Sequence, residues 1–339
     1  MATVPPIAMA DMSPPTFDDV KAAAERVKPL AVRTPILRND ALDEAVGAEV
    51  FIKAECLQTT GSFKIRGATN RLSQITDPDE KRAGVVAFSS GNHAQGVARA
   101  AKYFGLPALI VMPADAPRVK VDGVLTDGAE IRPYDRVTEA REEIAADIAR
   151  SRGAIIVPSY DDPDIIAGQG TAGLEIIEDM ADRGWPLDHY ISCAGGGGLV
   201  GGAALAFSAL SPQTKVWTAE PEGYDDHRLS LKAREIRAID PSKMTSICDA
   251  ILTPQPGNIT FAVNGSRLAG GLATSDDRVK EAMRFAFRHL KLVVEPGGAI
   301  ALACAMFALP EEAKGKRVGV VLSGGNVDAA MFAEILREA

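Results

Sequence analysis

GVVAFSSGNHAQGVARAAKYFGLPALIVM, residues 84–112, reads as an apolar strand (84–88), a helix (91–103) and a second apolar strand (108–112). Two strands joined through a helix need a crossover, and a crossover of that length makes them parallel. The alternation continues with a strand at 129–132, a helix at 138–151 and a strand at 154–157. A second series follows: a strand at 188–193, a helix opening near 199, a strand at 214–219, a helix at 277–290 and a strand at 317–322. The pattern predicts an α/β chain with two open twisted parallel sheets. The expected division is a small domain over 53–157 and a large one over 17–52 and 158–339. Residues 1–16 hold four prolines and little apolar periodicity, so they read as a flexible arm. The segment 221–275 is poor in strand signals and is expected to wrap the surface or form an oligomer contact.

Composition removes several function classes. The chain has 339 residues with 46% apolar content and a mean hydropathy near zero, enough to bury a large core. It has no apolar run of the roughly 20 residues that span a bilayer, and its N-terminus lacks a charged region followed by an apolar core. A cytoplasmic protein without a membrane role is expected. The four cysteines, Cys56, Cys193, Cys248 and Cys304, form no CxxC pair, which argues for reduced thiols rather than a zinc ribbon or disulfide framework. A net charge of −8 without a basic stripe argues against nucleic acid.

The chemistry-bearing motifs sit where strands give way to helices. At 193–202, CAGGGGLVGG carries a strand into Gly195, Gly196, Gly197 and Gly198 and then into an apolar helix. Glycines let backbone N–H groups converge, and the helix N-terminus adds its positive dipole end, an arrangement suited to a phosphate. A dinucleotide reading fits poorly, because only Glu220 could supply the acidic residue expected after the second strand. At 89–93, Ser89, Ser90, Gly91, Asn92 and His93 gather hydroxyl, amide and N–H groups at a helix start, suited to a substrate carboxylate; an ordinary helix cap is the competing reading. At 320–328, VVLSGGNVD places Ser323 at a strand-to-helix turn. Upstream, SFKIRGA (62–68) frames Lys64 between Phe63 and Ile65 after the turn-prone run Gln58-Thr59-Thr60-Gly61. A lysine so framed can hold an aldehyde as a Schiff base.

A phosphate cradle, a Schiff-base lysine and a hydroxyl for a ring nitrogen are together what pyridoxal phosphate needs. With AGQGT at 167–171, the five motifs in this order resemble the fold type II pyridoxal phosphate enzymes over roughly residues 17 to 335. The similarity is greatest to serine/threonine dehydratases, serine racemase and 3-hydroxyaspartate dehydratases. The resemblance implies a tryptophan synthase β-like fold, with the large domain binding the coenzyme. It implies Lys64 as Schiff-base lysine and general base, Phe63 beside the ring, Asn92 at the ring oxygen, Gly195 to Gly198 on the phosphate and Ser323 at the pyridine nitrogen. A neutral hydroxyl there leaves the ring a weaker electron sink than an aspartate would, which suits elimination better than transamination. Ser90 aligns with a serine on the face opposite the lysine in racemase-like members, where two opposed bases permit inversion; helix capping is its other reading. Glu295 resembles a glutamate near the ring, or caps the helix after Pro296, and His93 contacts substrate or phosphate, or is structural.

The same resemblance sets Arg141 against a second substrate carboxylate, with a solvated ion pair among Glu139 and Glu142 as the alternative. It also matches Glu220, Asp226 and the Tyr224 carbonyl to a divalent-cation site; oxygen donors suit Mg²⁺ or Ca²⁺, and an acidic surface loop is the other possibility. Tyr160 resembles the dehydratases rather than animal serine racemase. The expected activity is removal of water from a 3-hydroxy amino acid, L-threonine, L-serine or 3-hydroxyaspartate, giving a 2-oxo acid and ammonia. A racemase with side elimination and a pyridoxal phosphate binder without efficient catalysis are the alternatives. The partner is a small-molecule amino acid, and relatives of this size imply a homodimer.

Overall fold

The computed structural model describes residues 13–89, 91–116, 118–135 and 137–338. Ser90 and the first twelve residues of the expected N-terminal arm lie outside them. Ser13 to Thr16 form no regular structure, and Thr16 closes a capping box with Asp19 at the start of the helix Phe17–Val27.

Among the described residues, ten strands make two sheets. They are β1 Ile36–Leu37, β2 Glu49–Lys53, β3 Val85–Phe88, β4 Ala108–Pro113, β5 Glu130–Tyr134, β6 Ile155–Ile156, β7 His189–Cys193, β8 Lys215–Pro221, β9 Gly270–Thr274 and β10 Arg317–Val321. The smaller sheet runs β5-β4-β3-β6 and is parallel throughout. The larger runs β1-β2-β10-β7-β8-β9 and is parallel except for β1, a two-residue antiparallel edge on β2. Central strands covered by helices on both faces are apolar without alternation. So it is in β4, which is apolar and buried along its whole length, whereas β7 is equally buried but includes His189 and Ser192.

Two features depart from the sequence expectation. The segment 221–275 contributes β9, which pairs with β8 in the register Trp217↔Gly270 to Pro221↔Thr274. Its sequence GGLAT lacks the β-branched and aromatic residues that advertise a strand. Gly271 is there because a Cβ would stand 2.7 Å from the Arg228 Cα. The helix expected over 277–290 is α-helical only from Asp276 to Phe285 and ends in a π-helical turn, Ala286–Leu290, with Lys291 left-handed at φ 61°.

A buried charge network ties the larger sheet to the helix Lys64–Ser73. The fully buried Arg66 guanidinium donates to Glu55 at 2.7 and 2.8 Å and to Glu175 at 2.7 and 2.9 Å, and Lys53 Nζ reaches Glu175 Oε2 at 2.6 Å. The network anchors Arg66, which follows Lys64 by two residues on the same helix.

Candidate active site

In open parallel sheets, ligand sites form beyond the carboxyl ends of the strands. The loops after β3, β7 and β10 all open onto one cleft of about 590 Å³. Lys64 reaches it from the first turn of the helix Lys64–Ser73. Its Nζ donates to the Ser159 carbonyl at 2.7 Å and lies 5.1 Å from the centre of the Phe63 ring. Desolvation in the cleft lowers its pKa from 10.5 to about 8, against the opposing pull of Cys193 and Glu295. A free amine is the nucleophilic form, so the apoprotein should recover coenzyme absorbance faster as pH rises to about 8 and level off above it. A recovery rate still climbing towards pH 10.5 would contradict the lowered value.

The glycine run lines the same cleft. Gly197 sits at φ +91° ahead of the helix Gly198–Leu210, whose first N–H groups have no intrahelical acceptor. A Cβ at Gly196 would stand 2.1 Å from the Tyr160 ring, and one at Gly197 2.3 Å from His227 Nε2. Backbone N–H groups are thus presented bare at a positive dipole end, the chemistry a phosphate dianion requires. Gly196→Ala is expected to weaken coenzyme retention at least about tenfold, roughly 1.4 kcal/mol, on dialysis followed by absorbance. Unchanged retention would remove this loop as the cradle.

Across the cleft, Asn92 Nδ2 donates to Glu295 Oε1 at 2.5 Å, and Asn92 Oδ1 accepts from Asn326 Nδ2 at 2.7 Å. Glu295 occupies the N-cap position of the helix Pro296–Phe307 but makes no side-chain cap bond, so its helix-capping reading fails. Burial pushes its carboxyl up to about 7, with the Asn92 hydrogen bond pulling the other way. Ser323 Oγ accepts from the Cys193 thiol at 3.3 Å, and burial raises that thiol to about 11. This end of the cleft therefore carries two neutral groups. Cys193 escaped the sequence reading as a cleft residue, although it stands two positions before Gly195.

Around Asn92, Ser89 Oγ accepts the Gly91 N–H at 3.3 Å, and both residues line the cleft. His93 is buried, with Nε2 2.9 Å from the Val157 carbonyl. Desolvation and then the Lys64 charge lower its pKa to about 3, so the ring is neutral. A neutral ring facing a carbonyl through Nε2 must carry its proton there, leaving Nδ1 an acceptor. Arg141 opens the helix Arg141–Arg152 and also lines the cleft; it pairs with Glu142 at 2.8 Å and lies 5.7 Å from the Phe88 ring. Glu139 pairs instead with Arg132. The structure also adds a pair that sequence reasoning missed, Lys120 to Asp249 at 2.8 Å, both on the cleft wall. Asp249 to Gln255 make part of that wall, so this stretch of 221–275 faces the site rather than only wrapping the surface. No local pattern marks such a long-range pair.

Glu220 is the penultimate residue of β8 and Asp226 begins the helix Asp226–Ala233; both are fully buried, which overturns the acidic-surface-loop alternative. Glu220 accepts the His227 N–H at 2.8 Å, the Arg228 N–H at 2.9 Å and the Thr218 hydroxyl at 3.0 Å. Burial, then Asp226, pushes its carboxyl well above the ordinary range. Tyr224 lies in the turn between them, its hydroxyl 3.2 Å from the Met244 carbonyl and 3.3 Å from that of Pro241. A potential ligand absent from the sequence reading, His227, joins the two carboxylates.

Residues 27–324 match the family model described as pyridoxal-phosphate dependent enzyme. The chain belongs to this family. Among curated relatives of this pyridoxal phosphate enzyme is an L-threo-3-hydroxyaspartate ammonia-lyase from Pseudomonas sp, 45% identical across 95% of this chain and 98% of the relative. A serine racemase from Schizosaccharomyces pombe is 41% identical across 96% and 98%. Among solved structures, maize serine racemase superposes with a TM-score of 0.88 at 35% identity, covering 96% of this chain and 97% of that one. The fold is that of the fold type II pyridoxal phosphate enzymes. The bare glycine cradle and the half-buried lysine with a depressed pKa fit that coenzyme.

Proposed function

We propose that the chain is a pyridoxal-phosphate-dependent ammonia-lyase that removes water from a 3-hydroxy amino acid, L-threonine, L-serine or a 3-hydroxyaspartate, giving a 2-oxo acid and ammonia. The observation that carries it is the pairing of a Lys64 amine tuned to about 8 with a neutral Ser323 and Cys193 end. Bound coenzyme supplies a conjugated ring that accepts the electron pair left when the substrate Cα–H is broken. The other tasks belong to the chain. Gly195 to Gly198 would hold the phosphate, Phe63 would lie beside the ring, Asn92, bonded to Glu295, would serve the ring oxygen, and Ser323 would serve the pyridine nitrogen. Lys64 Nζ, steadied by the Ser159 carbonyl, takes the Cα proton as general base. Ser89, Gly91, Asn92 and the backbone N–H of His93 would offer the substrate carboxylate hydroxyl, amide and N–H groups.

A 3-hydroxyaspartate carries a second carboxylate, and Arg141 is the cleft cation proposed to meet it, supported by the name of the Pseudomonas relative. Glu220, Asp226 and the Tyr224 carbonyl are proposed to hold a divalent cation; their oxygens alone would suit Mg²⁺ or Ca²⁺. The division into a 53–157 domain and a larger remainder belongs to the same reading, as does a cytoplasmic homodimer whose mass sedimentation would read. No helix among the described residues is long and apolar enough to cross a membrane.

A second reading, racemisation with Ser90 opposed to Lys64, draws support from the Schizosaccharomyces pombe relative. One assay separates the two. L-serine, L-threonine and the 3-hydroxyaspartate isomers are each scored for oxo acid and for inverted amino acid. Oxo acid without inversion is the expected result. Inversion exceeding elimination would favour the racemase, and neither product from any substrate would leave only coenzyme binding.

A further inference from the structure

The ring of His227 is fully buried between the Glu220 and Asp226 carboxylates and the phosphate loop. Its Nδ1 stands 3.5 Å from Asp226 Oδ2 and 3.8 Å from Glu220 Oε1. One ligand atom from each of the three residues lies within 4.8 Å of the other two. Among the described residues, neither His227 nitrogen and neither Asp226 carboxylate oxygen has a hydrogen-bond partner. Leaving a buried polar atom unpaired costs about 1–3 kcal/mol, so three of these atoms, His227 Nδ1 and the two Asp226 oxygens, gathered beside Glu220 describe a place for a bound charge. Atoms that share one ion at about 2.0–2.3 Å stand roughly 3–4 Å apart, which is the spacing of Nδ1 from each carboxylate. The ring is also fixed from behind. Its Nε2 faces Gly197, where even a Cβ would come within 2.3 Å, and Asn264 packs against the same glycine.

We propose that His227 Nδ1 is a direct ligand of the cation held by Glu220 and Asp226, making a mixed oxygen and nitrogen site that prefers divalent transition ions such as Mn²⁺ over Mg²⁺ or Ca²⁺. The inference deepens the cation reading given above and rests on it. Imidazole nitrogen binds first-row transition ions well, whereas Mg²⁺ and Ca²⁺ gain little from it. Because the same ring touches Gly197, the cation cluster and the phosphate loop share one side chain.

The test uses coenzyme-loaded protein with Mn²⁺ as the probe. Pulsed electron paramagnetic resonance is expected to show modulation from a directly bound ¹⁴N, converted to the ¹⁵N pattern when the protein carries ¹⁵N-histidine. Separate Mn²⁺ and Mg²⁺ titrations of His227→Ala should show the ratio of the two affinities falling at least about tenfold from that of the unaltered chain. If the variant fails to fold, the histidine-labelled spectrum of the unaltered chain still decides. Bound Mn²⁺ without directly bound histidine nitrogen would overturn the role of His227 while leaving the carboxylate site standing. Absence of any bound Mn²⁺ would overturn both. Coenzyme absorbance of the same sample reports independently on the active site.

Discussion

Lys64→Ala is expected to reduce turnover of the best hydroxy amino acid by more than about 10³-fold, because a positioned general base alone contributes roughly 10²–10⁴ and the same side chain tethers the coenzyme. Visible-edge absorbance should be lost or shifted, while circular dichroism stays that of the unaltered protein. The geometry makes the effect specific. Among cleft residues, Lys64 has its amine pinned to a carbonyl at 2.7 Å and its pKa drawn down to about 8. A small amine such as methylamine should restore part of the activity, since it supplies the missing base without the side chain. A variant that keeps both the absorbance and the turnover would remove Lys64 from the mechanism.

The second large effect concerns stability. Arg66→Met is expected to cost about 3–5 kcal/mol, the usual penalty for removing one partner of a buried ion pair, out of a total that is seldom above about 15 kcal/mol. Glu55 is fully buried and depends on Arg66 for two of its hydrogen bonds. Burial would raise the Glu55 carboxyl, but the guanidinium overcomes that and holds it below its ordinary 4.5. A folded pKa below the unfolded one stabilises above the unfolded value. That contribution is lost as pH falls from about 4.5 through the folded pKa. The variant should therefore show a lower denaturant midpoint at neutral pH and a smaller acid-dependent loss than the unaltered chain. Replacing Glu55 by methionine as well should recover part of the deficit, since an unpaired buried charge is costlier than an apolar pair. An unchanged midpoint for Arg66→Met would show that the network is incidental.

How much of this was legible in the sequence follows from the range of each interaction. β3 and β4 announce themselves, because strands buried on both faces tend to be apolar throughout; β7 is as buried but carries His189 and Ser192, and it is marked instead by the glycine run that follows it. β9 does not, because its residues are chosen for the close approach of Arg228 and Trp217 rather than for strand propensity. The glycine run and Lys64 stand out because positive φ, bare N–H groups and imine chemistry each demand one residue type. Glu295 was ambiguous: a residue before a proline-led helix is a natural cap, and only its 2.5 Å contact with Asn92, 203 positions away in sequence, turns it into the cleft. Lys120 with Asp249, and His227 behind Gly197, are likewise products of long-range packing. Ser90 was singled out in sequence and lies outside the described residues.

The proposed elimination requires one covalent attachment of the coenzyme, and reduction with borohydride followed by peptide mapping tests it most directly. Treatment of the coenzyme-loaded protein should lock the pyridoxyl group onto the peptide that contains Lys64 and onto no other lysine. A pyridoxyl group found on a different peptide, or no stable adduct at all, would contradict the assignment on which the proposed elimination rests.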